Sequence, residues 1–277
     1  MLHSANLWIV ATPLGNPADL SPRAREVLES ADIVLAEDTR RAGLLFQHCE
    51  IAPKKFVSFH DHNENEKLEE VLELLRKGKT LALVSDAGMP LVADPGYRLV
   101  RACRKEGLSV SVVPGPSAPL VALAGSGIPP QPFVFLGFMP RDRADKEKML
   151  APFARLQLTL VFFERKDRLA DTLDAARAVL GPRELCIARE LTKIHEEYIL
   201  RRLEDSTPVG DLLGEITVVI GPAETGTSQT DRDTVLAMLD EERAAGGTPR
   251  EIARRVQVRT TGWTVKAIYT MLSARRD

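Results

Sequence analysis

Three loops in the first half of the chain combine residue types that can grip a small molecule: Thr12-Pro-Leu-Gly-Asn-Pro-Ala-Asp19, Ser85-Asp-Ala-Gly-Met-Pro-Leu-Val-Ala-Asp-Pro-Gly96 and Pro114-Gly-Pro-Ser-Ala118. Each follows a short apolar run of strand character, at Leu7 to Ala11, Thr80 to Val84 and Ser109 to Val113. In an open α/β sheet such loops, at the carboxyl ends of strands, border the ligand crevice, and glycine there lets backbone approach a ligand closely. One such loop alone also reads as a tight turn; three together read as the lining of one pocket. None is a phosphate cradle of the GxxxxGK[ST] or GxGxxG kind, so a nucleoside triphosphatase or a nicotinamide dehydrogenase has no local support. A neutral or cationic ligand fits better. Asp86 either meets an amino group or a ribose of that ligand, or accepts backbone N–H bonds within its own turn.

Acid–base chemistry has its own set of polar groups. Glu37, Asp38 and Arg40 follow the apolar run Ile33 to Ala36; His60, Asn63 and Glu64 follow Phe56 to Phe59; Glu190 and Lys193 follow Glu184 to Arg189. A carboxylate at a strand end can orient or deprotonate a hydroxyl, and a guanidinium can hold a phosphate. The competing reading is a polar network that fixes the second strand end, with solvated loop histidines and a surface lysine. His60, Asp61, His62 and Glu64 also contain metal-ligand types, but no cysteine lies nearby and alternate residues share a face only if the strand continues; no metal is expected.

The elements that must position these groups follow from apolar spacing and punctuation. Short strands alternate with helical stretches over about the first 220 residues, the pattern of α/β layers with a mostly parallel sheet. Ser21 and Pro22 open a helix carrying Ala24, Val27 and Leu28, and Leu68, Val71, Leu72 and Leu75 repeat at helical spacing up to Gly78. Later strands are expected at Thr159 to Phe163, Glu184 to Arg189, Glu196 to Leu203 and Glu215 to Ile220, with a helix from Leu169 to Leu180 closed by Gly181-Pro182. Gly137-Phe138-Met139-Pro140 and the charged run Arg141 to Lys148 read as a domain boundary. This gives an N-terminal α/β domain at 1–138, a second at 139–222, a polar linker at 223–230 and a helical, helix-turn-helix-like tail at 231–277. Thr248-Pro249 and Thr264 cap two of the tail's helices.

Composition narrows the classes. The chain has 277 residues, and its 37 Lys and Arg against 39 Asp and Glu leave a net charge of −2, so nucleic acid is not bound by overall charge. The tail differs: from Thr248 to Asp277, seven basic residues face two acidic ones. An apolar content of 44% supports a buried core. Prolines 114, 116, 119, 129 and 130 interrupt the longest apolar region, so no membrane helix is expected. The N-terminus lacks the pattern of a secretory signal. Cys49, Cys103 and Cys186 are scattered, with neither a disulfide framework nor a metal knuckle. A cytoplasmic protein is expected.

Val-Ala-Thr-Pro-Leu-Gly-Asn at 10–16, Ala-Glu-Asp-Thr-Arg at 36–40, Ser-Asp-Ala-Gly at 85–88, Asp-Pro-Gly-Tyr at 94–97, Pro-Gly-Pro-Ser-Ala at 114–118 and Ala-Arg-Glu-Leu-Thr-Lys at 188–193 occur in that order. Together they resemble the tetrapyrrole methylase superfamily, and within it the group that methylates small-subunit ribosomal RNA. The match runs from about residue 7 to 221, and the tail is similar to an extra C-terminal module of that group. The resemblance implies two α/β domains with S-adenosylmethionine in the cleft between them, in a homodimer. It further implies methyl transfer to the ribose 2′-hydroxyl of a cytidine in the decoding region of 16S rRNA. Carried over by motif, the cofactor meets Leu14, Asp86, Met89, Ser117 and Ala118, and by strand-end position Phe163, Glu190 and Ile216. Met89 stands where members usually carry a small hydroxyl residue, which leaves only a backbone contact there. Glu164-Arg165-Lys166-Asp167 stands where a Ser-Pro-His usually follows the Glu.

In-line transfer of a methyl from a sulfonium needs alignment, exclusion of water and help in removing the hydroxyl proton. Asp38, Glu37, Arg40 and Lys193 are the groups expected to give that help. RNA affinity has to come from local basic groups: Arg141, Arg143, Lys146 and Lys148 at the boundary, and Arg250, Arg254, Arg255, Arg259 and Lys266 in the tail. The alternatives are a methyltransferase for a tetrapyrrole or another small acceptor, and a non-catalytic RNA-binding assembly factor.

Overall fold

The computed structural model describes residues 5–52, 54–207, 210, 212–224, 230–260 and 262–273. The chain forms two compact units, 1–223 and 224–277; most of the expected linker, 225–229, lies outside the described residues.

Strands β1 (Leu7–Val10), β2 (Ile33–Ala36), β3 (Lys55–Ser58), β4 (Leu81–Val84) and β5 (Val110–Val113) form a parallel sheet in the order β3-β2-β4-β1-β5. Every residue of β1, β2 and β4 is buried, as expected of parallel strands covered on both faces. With side chains alternating, Trp8, Val10, Val34, Ala36, Ala82 and Val84 pack under helices α1 (Pro22–Ser30) and α2 (Thr39–His48). Leu7, Ile9, Leu35, Leu81 and Leu83 pack under α3 (Glu64–Arg76) and α4 (Tyr97–Lys105). Ser21 caps α1 as expected, accepting from the Ala24 N–H at 3.1 Å. Helix α2 was not expected. Its N-cap is Asp38, whose side chain accepts from the Arg40 N–H at 2.9 Å.

Helix α5 (Ala118–Gly125) ends the first half. The second sheet holds β6 (Phe133–Phe138), β7 (Thr159–Glu164), β8 (Glu184–Arg189), β9 (Glu197–Arg202) and β10 (Ile216–Ile220) in the order β6-β7-β10-β8-β9, with α6 (Arg143–Leu150) and α7 (Leu169–Leu180) beside it. Two sequence expectations need correction. The boundary at 138 falls too late, because β6 pairs with β7 and the change of sheet lies between α5 and β6. The mostly parallel sheet holds for the first half only, since β10 pairs antiparallel with β7 and β8, and β8 with β9. The 190–196 connection is too short for the crossover that a parallel β8–β9 pair would need. Ala122, Leu123 and Ile128 pack on Val161, Cys186, Ala188 and Val219, joining the halves through an apolar seam.

Two buried cations hold the second half together. Lys146, almost without solvent exposure, pairs with Asp171. Arg183 is fully buried, and among the described residues its guanidinium has no carboxylate partner; it donates to the carbonyls of Phe153 (2.9 Å), Ala154 (2.8 Å), Gly221 (3.2 Å) and Leu180 (3.4 Å). Removing it strands several acceptors, each worth roughly 1–3 kcal/mol when unsatisfied. Arg183→Met is therefore expected to cost about 3 kcal/mol in guanidinium unfolding, and a loss below about 1 kcal/mol would mean that the carbonyls find other partners.

The second unit packs α8 (Arg232–Ala244), α9 (Pro249–Val258) and α10 (Val265–Ser273) around Val235, Leu239, Ile252, Val256, Ile268 and Leu272. Thr248 and Glu251 form a capping box at α9, and Thr264 accepts from the Ala267 N–H at α10. Among the described residues no helix is long and apolar enough to cross a membrane.

Candidate active site

A cavity of about 640 Å³ lies between the two sheets of the first unit. One wall is the carboxyl edge of the parallel sheet: Leu14 after β1, Glu37 after β2, Asp86 to Met89 and Val92 to Asp94 after β4, and Ser117 to Pro119 after β5. The opposite wall is Phe138, Phe163 to Asp167, Leu191 and Gly214 to Thr217. The three loops singled out by residue type thus meet, because the parallel register brings the ends of β1, β4 and β5 together. Thr12 and Gly88 exchange backbone hydrogen bonds of 2.9 and 3.0 Å, locking the first loop to the second. Gly88 has φ +82°, and a Cβ there would stand 3.0 Å from Leu14 Cδ2, so this wall requires glycine.

Leu14, Asp86, Met89, Ser117, Ala118, Phe163 and Ile216, all expected to touch a cofactor, line the cavity; Glu190 does not. Of the groups expected to assist the chemistry, Glu37 lines it, whereas Asp38, Arg40 and Lys193 do not. The Asp38 carboxylate caps α2 and takes two bonds from the Arg40 side chain, at 3.1 and 2.8 Å. That guanidinium holds the carboxyl far below the usual carboxylate range, while Arg40 is 88% exposed. Asp86 serves both readings: it lines the cavity, accepts from the Asp38 N–H at 3.3 Å and pairs with Arg41 at 3.1 Å.

The cavity mouth is acidic. Glu37 sits there, exposed over much of its surface, and partial burial, followed by the charges of Asp86 and Asp61, raises its pKa. Asp94 is pushed up to about 6 by burial and then by the charge of Glu37, against a hydrogen bond from Ser85. A carboxyl raised in the folded state contributes most to stability below its unfolded pKa, and that contribution is lost as pH rises through about 6. Asp94→Asn is therefore expected to raise Tm by a few degrees near pH 8 and to leave it unchanged near pH 4. An equal shift at both pH values would place the effect in packing.

Glu190 and Lys193 belong to a clasp between the halves. Glu190 and Thr192 adopt left-handed backbone, with φ of 50° and 64°. Thr192 Oγ1 accepts from the Asn16 N–H at 3.2 Å. The Lys193 stem lies over Gly15, where a Cβ would meet its Cγ at 2.3 Å, and its ammonium bonds Glu190 at 3.0 Å and Glu215 at 3.4 Å. Burial works against the Lys193 charge, but these carboxylates outweigh it and raise its pKa. Leu191, between the clasp residues, lines the cavity. His60, Asn63 and Glu64 shape the neighbouring turn: Asn63 accepts from the His60 N–H at 2.8 Å, and Glu64 accepts from the Arg98 N–H at the start of α4 at 3.2 Å. Among the described residues no group of three or more His, Cys, Asp or Glu is arranged to hold a metal ion.

Sequence reasoning placed Val92 and Asp94 in a loop expected to line the pocket without singling them out, and it missed Phe138 and Glu164 as cavity residues. Phe138 stood in a supposed boundary. Glu164 is buried and anchors the turn after β7, accepting from Arg165 N–H (2.7 Å), Arg168 (2.5 Å) and Thr172 (2.5 Å).

A parallel sheet whose carboxyl edge faces a second, mixed sheet across a cleft defines a two-lobed α/β fold, and solved structures share it. The methyltransferase CobJ superposes with a TM-score of 0.62 at 21% identity, covering 82% of this chain and 97% of that one. A uroporphyrin-III C-methyltransferase from Thermus thermophilus, complexed with S-adenosylhomocysteine, gives 0.56 at 20% identity, covering 78% and 97%. The family model for tetrapyrrole (corrin/porphyrin) methylases matches residues 6–206, and the chain belongs to that family. Within it, the chain is similar to proteins named ribosomal RNA small subunit methyltransferase I. It is 40% identical to the one from Mycobacterium tuberculosis (strain H37Rv) over 281 residues, 100% of this chain and 98% of that protein. It is 46% identical to the Escherichia coli O157:H7 protein over 208 residues, 75% and 70%. With the Thermotoga maritima protein it is 42% identical over 221 residues, 79% of this chain and 99% of that one.

Proposed function

We propose that the chain binds S-adenosylmethionine in the cavity and transfers its methyl group to the ribose 2′-hydroxyl of a cytidine in the decoding region of 16S rRNA. The observation that carries this reading is the union, in one cavity, of an apolar wall with a cluster of carboxylates. Leu14, Met89, Phe163 and Ile216 suit an adenine and a thioether. Asp86 and Asp94 suit ribose hydroxyls, an ammonium and a sulfonium, and the glycine wall at Gly88 leaves room for them. The cofactor supplies an electrophilic methyl group.

The chain's residues do the rest. The loops after β1, β4 and β5 bind and orient, and Leu14, Val92 and Phe163 exclude water. Glu37 accepts the hydroxyl proton at its carboxylate, since it lines the cavity with a raised pKa and the Asp38 carboxylate is already committed to Arg40. Asp94, ionised above about pH 6, adds negative charge beside it. Lys193 acts by fixing the clasp.

Full-length similarity to proteins named for rRNA methylation supports the substrate. Of the five tail cations expected to meet RNA, Arg255 and Arg259 are tied to Glu242 and Glu241, which leaves Arg250, Arg254 and Lys266 exposed. Lys146 is withdrawn from RNA contact by its burial. A homodimer acting on small subunits in the cytoplasm belongs to the same proposal. The test is calorimetric titration with S-adenosylmethionine followed by transfer of labelled methyl to purified small subunits. Binding with transfer to 16S rRNA supports the reading. No binding, with or without RNA, would favour a non-catalytic assembly factor, and label accepted only by a tetrapyrrole would favour the small-acceptor enzyme.

A further inference from the structure

We propose that Phe138, which lines the same cavity as Arg165 and Lys166, is the platform on which a single-stranded nucleotide of the acceptor RNA docks at the cavity rim, its base stacked on the ring and its phosphates drawn to the two cations. This rests on the RNA-methylating reading above and adds residues for recognition to it.

The ring is turned toward the cleft by a backbone irregularity. Along β6 and β7, Val134 pairs with Leu160 and Phe135 with Val161, but the next pair is Phe138 with Phe163, so three steps on β6 match two on β7. The extra residue sits at Leu136–Gly137, and Gly137 takes φ +69°. Val134 and Leu136 face the core of the second half with Leu160 and Phe162. By strict alternation Phe138 would join them and be buried. The bulge moves it to the other face, on the side of Phe135 and Phe163, and bulges beside functional sites commonly re-aim one side chain in this way.

The result is a large apolar ring left 58% exposed at the edge of the cavity. It is held in place, with its centroid 5.1 Å from that of Phe163, which in turn rests edge-on at 5.0 Å from Phe135. Phe163 occupies the wall, so Phe138 remains free to meet what enters from outside.

The charged side chains that the first half gives the rim are all carboxylates, Glu37, Asp86 and Asp94, which repel phosphate. The second half brings the cations: Arg165 and Lys166 line the cavity and are exposed, beside two carboxylates that are already paired, Asp167 with Arg165 at 3.1 Å and Glu215 with Lys193 at 3.4 Å, and Lys166 has no ion-pair partner among the described residues. An exposed ring flanked by cations is the combination that binds single-stranded nucleic acid, through stacking and backbone charge together.

The test uses the full chain with purified small subunits and S-adenosylmethionine. Phe138→Ala is expected to raise KM for small subunits by roughly 5- to 100-fold and to leave cofactor affinity within twofold, while Phe138→Trp restores the low KM. The fluorescence of the Phe138→Trp variant should be quenched by short single-stranded RNA. Replacing Arg165 and Lys166 together with Ser should flatten the slope of log affinity against log salt by about one. A Phe138→Ala variant with weakened cofactor affinity and unchanged KM for subunits would assign the ring to the cofactor instead. An altered oligomeric mass with unchanged KM would make the rim an interface between copies. Failure of the wild type to methylate subunits would overturn the functional reading, whereas the RNA quenching test would still decide the platform.

Discussion

Replacing Glu37 with Gln is expected to lower single-turnover methyl transfer by two orders of magnitude or more, with cofactor and RNA affinities within a few fold of wild type. The amide keeps the shape and the polarity of the side chain but cannot accept a proton, and a general base contributes about 10² to 10⁴ in rate. A loss confined to the rate is the pattern of an interaction made in the transition state. Asp38→Asn is the control. Asparagine is as good an N-cap as aspartate, and Asp38 lies outside the cavity lining with its oxygens bonded to Arg40, so its transfer rate should stay within a few fold. The reverse result, a slow Asp38→Asn beside a normal Glu37→Gln, would return the base to Asp38. Because the Glu37 pKa is raised, the wild-type rate should also climb with pH through the region in which Glu37 and Asp94 ionise, and the Glu37→Gln variant should lose part of that climb.

Asp86→Ala is expected to weaken S-adenosylmethionine binding about ten- to a hundredfold, the range set by losing one charge-assisted hydrogen bond of roughly 1.5 to 3 kcal/mol. Asp86 also receives the Asp38 N–H and pairs with Arg41, so some of the loss could come through the second strand end. Asp86→Asn separates the two effects, because its carbonyl oxygen still accepts from the backbone while the charge is gone. If the charge meets the cofactor, Asn should bind nearly as weakly as Ala in a calorimetric titration. If the turn is what matters, Asn should bind like wild type. Unchanged affinity in a folded Asp86→Ala variant would remove Asp86 from the site.

The parts of this molecule that were legible in the sequence are those governed by local rules. The strands Ile33–Ala36 and Glu184–Arg189 coincide with expectation residue for residue, and the helix Leu169–Leu180 falls where one was expected, because each is an apolar run of suitable period closed by turn or cap residues. The three Gly- and Pro-rich loops were legible as one pocket because strand ends in a parallel sheet share an edge. Strand β6 was not. Its Phe-Val-Phe-Leu-Gly-Phe run is broken by Gly137 and bounded by Pro132 and Pro140, and the bulge that explains the glycine exists only in the pairing with β7. The antiparallel order of the second sheet was hidden for a similar reason, since β10 inserts between β7 and β8 from the end of the unit. At the site, Asp38 and Glu37 are neighbours in sequence with opposite fates: one turns back to cap α2 and the other faces the cavity. Asp94 lay in a loop expected to line the pocket, but its raised pKa was not legible, because it comes from burial and from Glu37, more than fifty positions away.

The central claim, methylation of a cytidine 2′-hydroxyl in small-subunit RNA, is tested most directly by mass spectrometry of 16S rRNA nucleosides. Purified small subunits from cells lacking the gene would be incubated with the full chain and S-adenosylmethionine. The expected result is 2′-O-methylcytidine at a single decoding-region position, formed by the wild type and nearly absent with Glu37→Gln. Methylation on a base, at another nucleotide, or none at all with an enzyme shown to bind the cofactor would contradict the account.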